Sequence, residues 1–233
     1  MATRFQRVPM IQCVPMTELH FFDPRAEYVV LERRLPHWTQ SGVVCFITLR
    51  TNDSIPDDVL ERWRHERFQW LRQNGINPRS GDWRQKLQAL SKVSQRDFFT
   101  RFSARWHDEL DAGYGDCPLA DPDLAQIVSE SLLKFQGDRY EMTDFVVMPN
   151  HVHLLAAFPD DDAMLNQCRN WKHFQAVQIN RKTGSSNRFW QQDGFDHLVR
   201  SSDQFEHFRR YIADNPRKAK LATGMSVVWS KEL

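Results

Sequence analysis

Residues 140–158 read YEMTDFVVMPNHVHLLAAF. Two runs rich in β-branched, aromatic and aliphatic residues, 140–148 and 152–158, flank Met148-Pro149-Asn150. Pro-Asn between two apolar runs is turn chemistry, so the stretch predicts two antiparallel strands joined by a tight turn. Residues i and i+2 of a strand share a face. His151 and His153 therefore project together, while Val152 enters the opposite layer. Two neutral imidazoles at that spacing can clamp a divalent ion, but an isolated H-x-H is a weak signal, and the plainer reading is a pair of satisfied surface histidines beside a turn.

Upstream, VVCFITL at 43–49 lies between Gly42 and Asn52-Asp53 and reads as a buried strand. Downstream, Asp160-Asp161-Asp162 is a strong helix start, followed by apolar residues suited to one helix over 164–180. A flexible loop at 183–187, a short strand near 197–199 and a helix from about 202 to 215 follow, with Pro216 ending the last. The residues before the quoted stretch carry helical spacing. A first helix starts at Ser54-Ile55-Pro56-Asp57-Asp58, a second holds Leu87, Leu90, Val93 and Phe98, and a third runs from Asp121-Pro122 to Gly137. The order is strand, helical segment, strand, strand, helix, strand, helix. That order suits an α+β chain: a ferredoxin-like antiparallel sheet with helices on one face. Residues 52–136 exceed what one crossover helix needs and predict a helical insertion on the sheet's edge. Residues 1–30 read as an irregular arm, 31–221 as a single domain and 222–233 as a tail.

The 233 residues are ample for a core, and 16 Phe with 8 Trp exclude a disordered chain. Nothing resembles a membrane span or a signal peptide, and Cys13, Cys45, Cys117 and Cys168 are too scattered for a zinc ribbon or disulfide framework. A cytoplasmic protein is expected. The net charge of +1 argues at first against nucleic acid. Divided, it does not: residues 1–106 carry +6, 107–163 carry −11 and 164–220 carry +6. Of 31 basic residues 23 are Arg, whose planar fork matches phosphate oxygens. The acidic middle is expected to lie mostly away from any strand-binding face.

The final helix contains Tyr211-Ile212-Ala213-Asp214-Asn215, which puts Tyr211 and Asn215 on one helix face. Asn215 also fits as a C-terminal cap before Pro216. The combined motifs resemble a family. Met148-Pro149-Asn150-His151-Val152-His153-Leu154-Leu155 followed by Tyr211-Ile212-Ala213-Asp214-Asn215-Pro216 is similar to the REP-associated tyrosine transposases, relatives of the single-tyrosine HUH transposases of small bacterial insertion sequences. Trp171-Lys172, Ile179-Asn180-Arg181, Phe189-Trp190-Gln191 and Phe195-Asp196-His197-Leu198-Val199-Arg200 extend the likeness. So do Leu35-Pro36-His37-Trp38 and Phe46-Ile47-Thr48-Leu49-Arg50. The resemblance covers about residues 33–221 and is tightest after Arg139. The long helical stretch departs from compact members.

The resemblance implies a ferredoxin-like fold acting on single-stranded DNA beside a short hairpin, in a bacterial cytoplasm and at the nucleoid when bound. It implies His151 and His153 as metal ligands with Asn215 as the third, and Tyr211 as nucleophile. The mixed nitrogen and oxygen set points to Mg²⁺ or Mn²⁺. Of four tyrosines, Tyr28, Tyr114, Tyr140 and Tyr211, only Tyr211 has an amide one turn away on its own helix face. Lys172, Arg181, His197, Arg200 and Arg210 are expected along the DNA, with Lys182, Arg188 and Arg209 adding charge. His197 fits equally as a structural histidine, and Trp190 and Phe195 as core or base-stacking aromatics. The implied reaction is a transesterification through a 5′-phosphotyrosine. Two alternatives stand beside it: a metal phosphodiesterase in which water attacks, and a domesticated hairpin-binding protein without turnover.

Overall fold

The computed structural model describes residues 19–23, 25–26, 29–31, 37–104, 113–192 and 195–232. Most of the expected N-terminal arm lies outside them. Strands β1 (Val29–Leu31) and β2 (His37–Thr39) form a two-stranded antiparallel sheet. The main sheet comprises β3 (Val44–Arg50), β4 (Glu141–Met148), β5 (His151–Ala157), β6 (Phe195–Leu198) and β7 (Val227–Ser230). Its order is β6-β3-β5-β4-β7, with every neighbour antiparallel. The first four positions have the fourth-first-third-second order of a ferredoxin-like unit. The expected strand pair around Pro149 is β4 and β5, in register from Met148↔His151 to Glu141↔Ala157 with a bulge between Met142 and Asp144.

Six helices accompany the sheet among the described residues: α1 (Asp57–Gln73), α2 (Trp83–Ala89), α3 (Lys92–Phe99), α4 (Pro122–Leu133), α5 (Asp161–Thr183) and α6 (Ser202–Lys218). The acid-rich start of α5 acts as read: the Asp160 carboxylate accepts from the Ala163 N–H at 2.7 Å. Helix α6 is capped by Ser201, whose hydroxyl accepts from the Gln204 N–H.

The α+β class and the antiparallel sheet are as expected. The placing of every helix on one face is not. Helices α4 and α5 cover one side, where Leu124, Val128, Leu132 and Trp171 pack on Ile47, Leu49, Val152 and Leu154. Helix α6 covers the other, where Phe205 and Ile212 pack on Phe46, Val146 and Leu155. The physical reason is strand alternation: β3, β4 and β5 are apolar on both faces and are buried along almost their whole length. A sheet buried on both sides needs a layer on each.

Three further differences bear on function. Pro216 does not end α6, which continues to Lys218; proline removes one N–H, and the Ala219 N–H still reaches the Asn215 carbonyl at 3.0 Å. Asn215 is therefore a helical residue and not the cap. Residues 227–230 (VVWS), expected as tail, form an edge strand along β4. Within the expected insertion, α1 to α3 enclose an aromatic cluster of their own, Trp70, Leu71, Ile76, Leu87, Phe98 and Phe102, whereas α4 belongs to the main core.

Candidate active site

The site forms between β5 and α6. His151 and His153 are buried on the α6 side of the sheet, with ring centroids 4.6 Å apart, while Val152 enters the opposite core as alternation requires. Each ring is held by a neighbour. His153 sits opposite Thr48 of β3, and its Nδ1 lies 2.8 Å from the Thr48 hydroxyl. The Phe46 ring stacks on His153 at 5.2 Å and on Phe208 of α6 at 4.4 Å. This aromatic column fixes the plane of the imidazole.

His151 Nδ1 lies 2.7 Å from Asn150 Oδ1. The Asn150 amide orientation follows from its other end, where Nδ2 donates to the Tyr114 carbonyl at 3.0 Å. The amide oxygen facing His151 can only accept, so Nδ1 carries the proton and Nε2 the lone pair. A neutral imidazole in that tautomer is ready to ligate a cation through Nε2.

Helix α6 brings Tyr211 to the same place. Its hydroxyl is 3.4 Å from His153 Nε2, and its ring meets the imidazole edge-on at 5.3 Å. The Lys218 ammonium lies 4.9 Å from the centre of the Tyr211 ring. One turn beyond the tyrosine, Asn215 is fully buried, and neither its Oδ1 nor its Nδ2 has a hydrogen-bond partner. A buried carboxamide without partners costs about 1–3 kcal/mol, a cost that an ion or a water bound to its oxygen would offset. Two imidazoles and one orphaned amide oxygen fit a divalent cation by donor chemistry. Among the described residues no group of three or more His, Cys, Asp or Glu is placed to hold a metal ion; the donors here are two His and one Asn.

The residues expected along DNA are dispersed. His197 faces the α6 side from β6, and its Nε2 accepts from Gln204 Nε2 at 3.1 Å, since Gln204 Oε1 is committed to the Arg200 N–H. It thereby docks the start of α6. Arg200 is exposed just before that helix and Arg210 is exposed in its middle. Lys172 and Arg181 stand on α5, which packs on the other face; the Lys172 ammonium donates to the Gln192 carbonyl at 2.6 Å. Trp190 is buried in the α4–α5 core, while the Phe195 side chain lies outside the described residues.

Two cations assigned to DNA have structural partners. Lys182 pairs with Asp123 at 2.6 Å. Arg209 Nε donates to both oxygens of the buried Asp144 carboxylate at 3.1 Å. Burial pushes the Asp144 carboxyl above its ordinary range, against the opposing pull of the Ser230 hydroxyl and Arg209. Sequence reasoning missed Thr48, the Asn150 side chain and the Tyr114 carbonyl. The single signal for the first was a polar residue inside the apolar run FITL.

Residues 120–215 match the family described as "Transposase IS200 like". Over 94 residues the chain is 28% identical to the REP-associated tyrosine transposase of Escherichia coli (strain K12), covering 40% of this chain and 54% of that protein. The match thus spans about half the length of the curated relative. A solved structure of a REP-associated tyrosine transposase bound to a REP hairpin aligns over 86% of this chain and 76% of its own, with 17% identity and a TM-score of 0.42. No helix among the described residues is long and apolar enough to cross a membrane.

Proposed function

We propose, from the likeness of its motifs to the REP-associated tyrosine transposases and the match of residues 120–215 to the family described as "Transposase IS200 like", that the chain is a metal-dependent single-stranded DNA transesterase that cuts and rejoins strands beside hairpins. The observation that carries this reading is the approach of the Tyr211 hydroxyl to His153, 3.4 Å apart, with the orphaned amide of Asn215 one helical turn away.

His151, His153 and Asn215 would hold Mg²⁺ or Mn²⁺, and all three are neutral, so the site would keep the full cationic charge. A bound ion supplies polarisation of the phosphate oxygens and offsets charge developing in the transition state. The protein's own part is positional. Thr48 and Asn150 hold the imidazoles, and α6 delivers Tyr211 to their edge. The Tyr211 oxygen loses its proton and bonds to phosphorus. The bond from phosphorus to the 3′ oxygen breaks, and that oxygen takes up a proton. A 5′-phosphotyrosine and a free 3′-hydroxyl result. One phosphate ester replaces another, so that 3′-hydroxyl, or the 3′-hydroxyl of another strand, can reverse the step and rejoin DNA.

The test is incubation with hairpin oligonucleotides taken from DNA flanking the gene, with Mg²⁺ or Mn²⁺. A protein–DNA adduct that survives denaturation and disappears in Tyr211→Phe is expected. Cleavage without an adduct would assign the attack to water. Hairpin binding with neither cleavage nor adduct would leave a binding protein without turnover.

A further inference from the structure

The Asn150 side chain bridges two parts of the chain that are far apart in sequence. Its Oδ1 accepts from His151 Nδ1–H, and its Nδ2 donates to the carbonyl of Tyr114, 36 residues earlier. The Asn150 backbone is clamped as well, since its carbonyl accepts from the Thr51 N–H at 2.9 Å and the Thr51 hydroxyl at 3.1 Å. Tyr114 belongs to the Gly-rich loop that precedes α4, within the 52–136 stretch that departs from compact family members. That loop is locked from its other side. The Asp116 N–H donates to the Asp53 carboxylate at 2.8 Å, and the Leu119 N–H to the Pro149 carbonyl at 2.9 Å. Gly115, at φ +85°, packs so closely on Asp53 that a Cβ there would stand 2.7 Å from the Asp53 backbone oxygen.

We propose that the Tyr114 carbonyl and Asn150 form a positioning relay through which the 113–117 loop holds His151 in its Nδ1–H tautomer, with the Nε2 lone pair presented to the site. Its value to catalysis rests on the metal reading above, but the tautomer does not. In water a neutral histidine prefers the proton on Nε2, so the opposite tautomer has to be imposed by a partner. The Tyr114 carbonyl, by taking the amide N–H, turns the Asn150 oxygen toward His151; a rotated amide would present N–H groups to His151 and reverse the assignment. Asn150 is a positioning residue, and the loop is its support. The inserted helical stretch is thus joined to the catalytic centre by two hydrogen bonds in series.

The experiment reads ring-nitrogen NMR shifts of His151 in the full-length, metal-free protein at a pH where it is neutral, with Mn²⁺ titrations run in parallel. Wild type is expected to show a protonated Nδ1 and an unprotonated Nε2. Asn150→Ala is expected to move a substantial population to the Nε2–H form and weaken Mn²⁺ binding by about 10-fold or more. Gly115→Ala, which displaces the loop without touching the amide, is expected to shift the same signals in the same direction. An Nε2–H tautomer in wild type overturns the relay with no variant needed, and so does an unchanged tautomer in both variants. If wild type has the expected tautomer but binds no Mn²⁺, the relay is upheld and the metal reading fails.

Discussion

Thr48 and His153 are directly opposed on adjacent strands, and the Thr48 hydroxyl lies 2.8 Å from His153 Nδ1 in a buried setting. This pairing makes a residue of the first main-sheet strand a support for the His153 imidazole on the third. Thr48→Val keeps the shape and removes the hydroxyl, leaving an imidazole nitrogen buried without its partner. The expected cost is about 1–3 kcal/mol of stability. Chemical denaturation without metal measures it, and Thr48→Ser should restore most of the loss.

Asn215 predicts an opposition between stability and function. Its carboxamide is fully buried with no hydrogen-bond partner. Asn215→Leu replaces it by an apolar group of similar volume and removes the desolvation cost. Chelator-treated Asn215→Leu is expected to melt at least about 2 °C above wild type while losing cation binding. A lower melting temperature without gain at any pH would sink the assignment of Asn215 as an orphaned ligand.

Arg209 predicts a pH-dependent defect. Asp144 is raised above the ordinary carboxylate range by burial, so the folded state favours its protonated form. Its ionisation therefore costs stability as pH rises through the folded-state value, and Arg209 offsets part of that cost. Arg209→Met strands the carboxylate. We expect a loss of about 2–3 kcal/mol at neutral pH, discounted because Arg209 is a quarter exposed. The deficit should shrink on acidification, as Asp144 becomes neutral. Denaturation curves for both proteins from pH 4 to 8 check the sign.

The division of basic residues between faces predicts unequal parts in DNA binding. Arg200 and Arg210 are exposed on the α6 side, and Arg181 stands on α5 across the sheet. Arg200→Ala and Arg210→Ala are each expected to reduce the slope of log affinity against log salt by about 0.7–0.9. Arg181→Ala should leave it unchanged. An equal change in all three would extend the DNA track over both faces.

How much could be read from residue order alone follows from the range of each signal. The β4–β5 hairpin, the shared face of His151 and His153, and the start of α5 were legible because turn chemistry, period-two alternation and capping act within a few residues. Asn150 was read as a turn former, correctly for its backbone, but its amide partner lies 36 residues away and no local pattern announces it. Thr48 acquires its role only through strand register. Arg209 looked like a phosphate contact because a cation on a helix is the same letter whether it meets solvent or a buried aspartate. The second helical layer was missed because a strand apolar on both faces does not say which helix will cover which side.

The two-sided burial of the sheet has a consequence for motion. The imidazoles are carried by a central strand with neighbours on both sides and cores above and below, the part of such a molecule whose amide hydrogens exchange last. The phenol is carried by a single helix resting on a smaller cluster, beyond the βαββαβ unit. The site is thus assembled from two halves of unequal support, one on a central strand between two cores and one on a single helix. Under the proposed reaction, a strand joined to Tyr211 would be held by that helix and not by the sheet that carries the histidines.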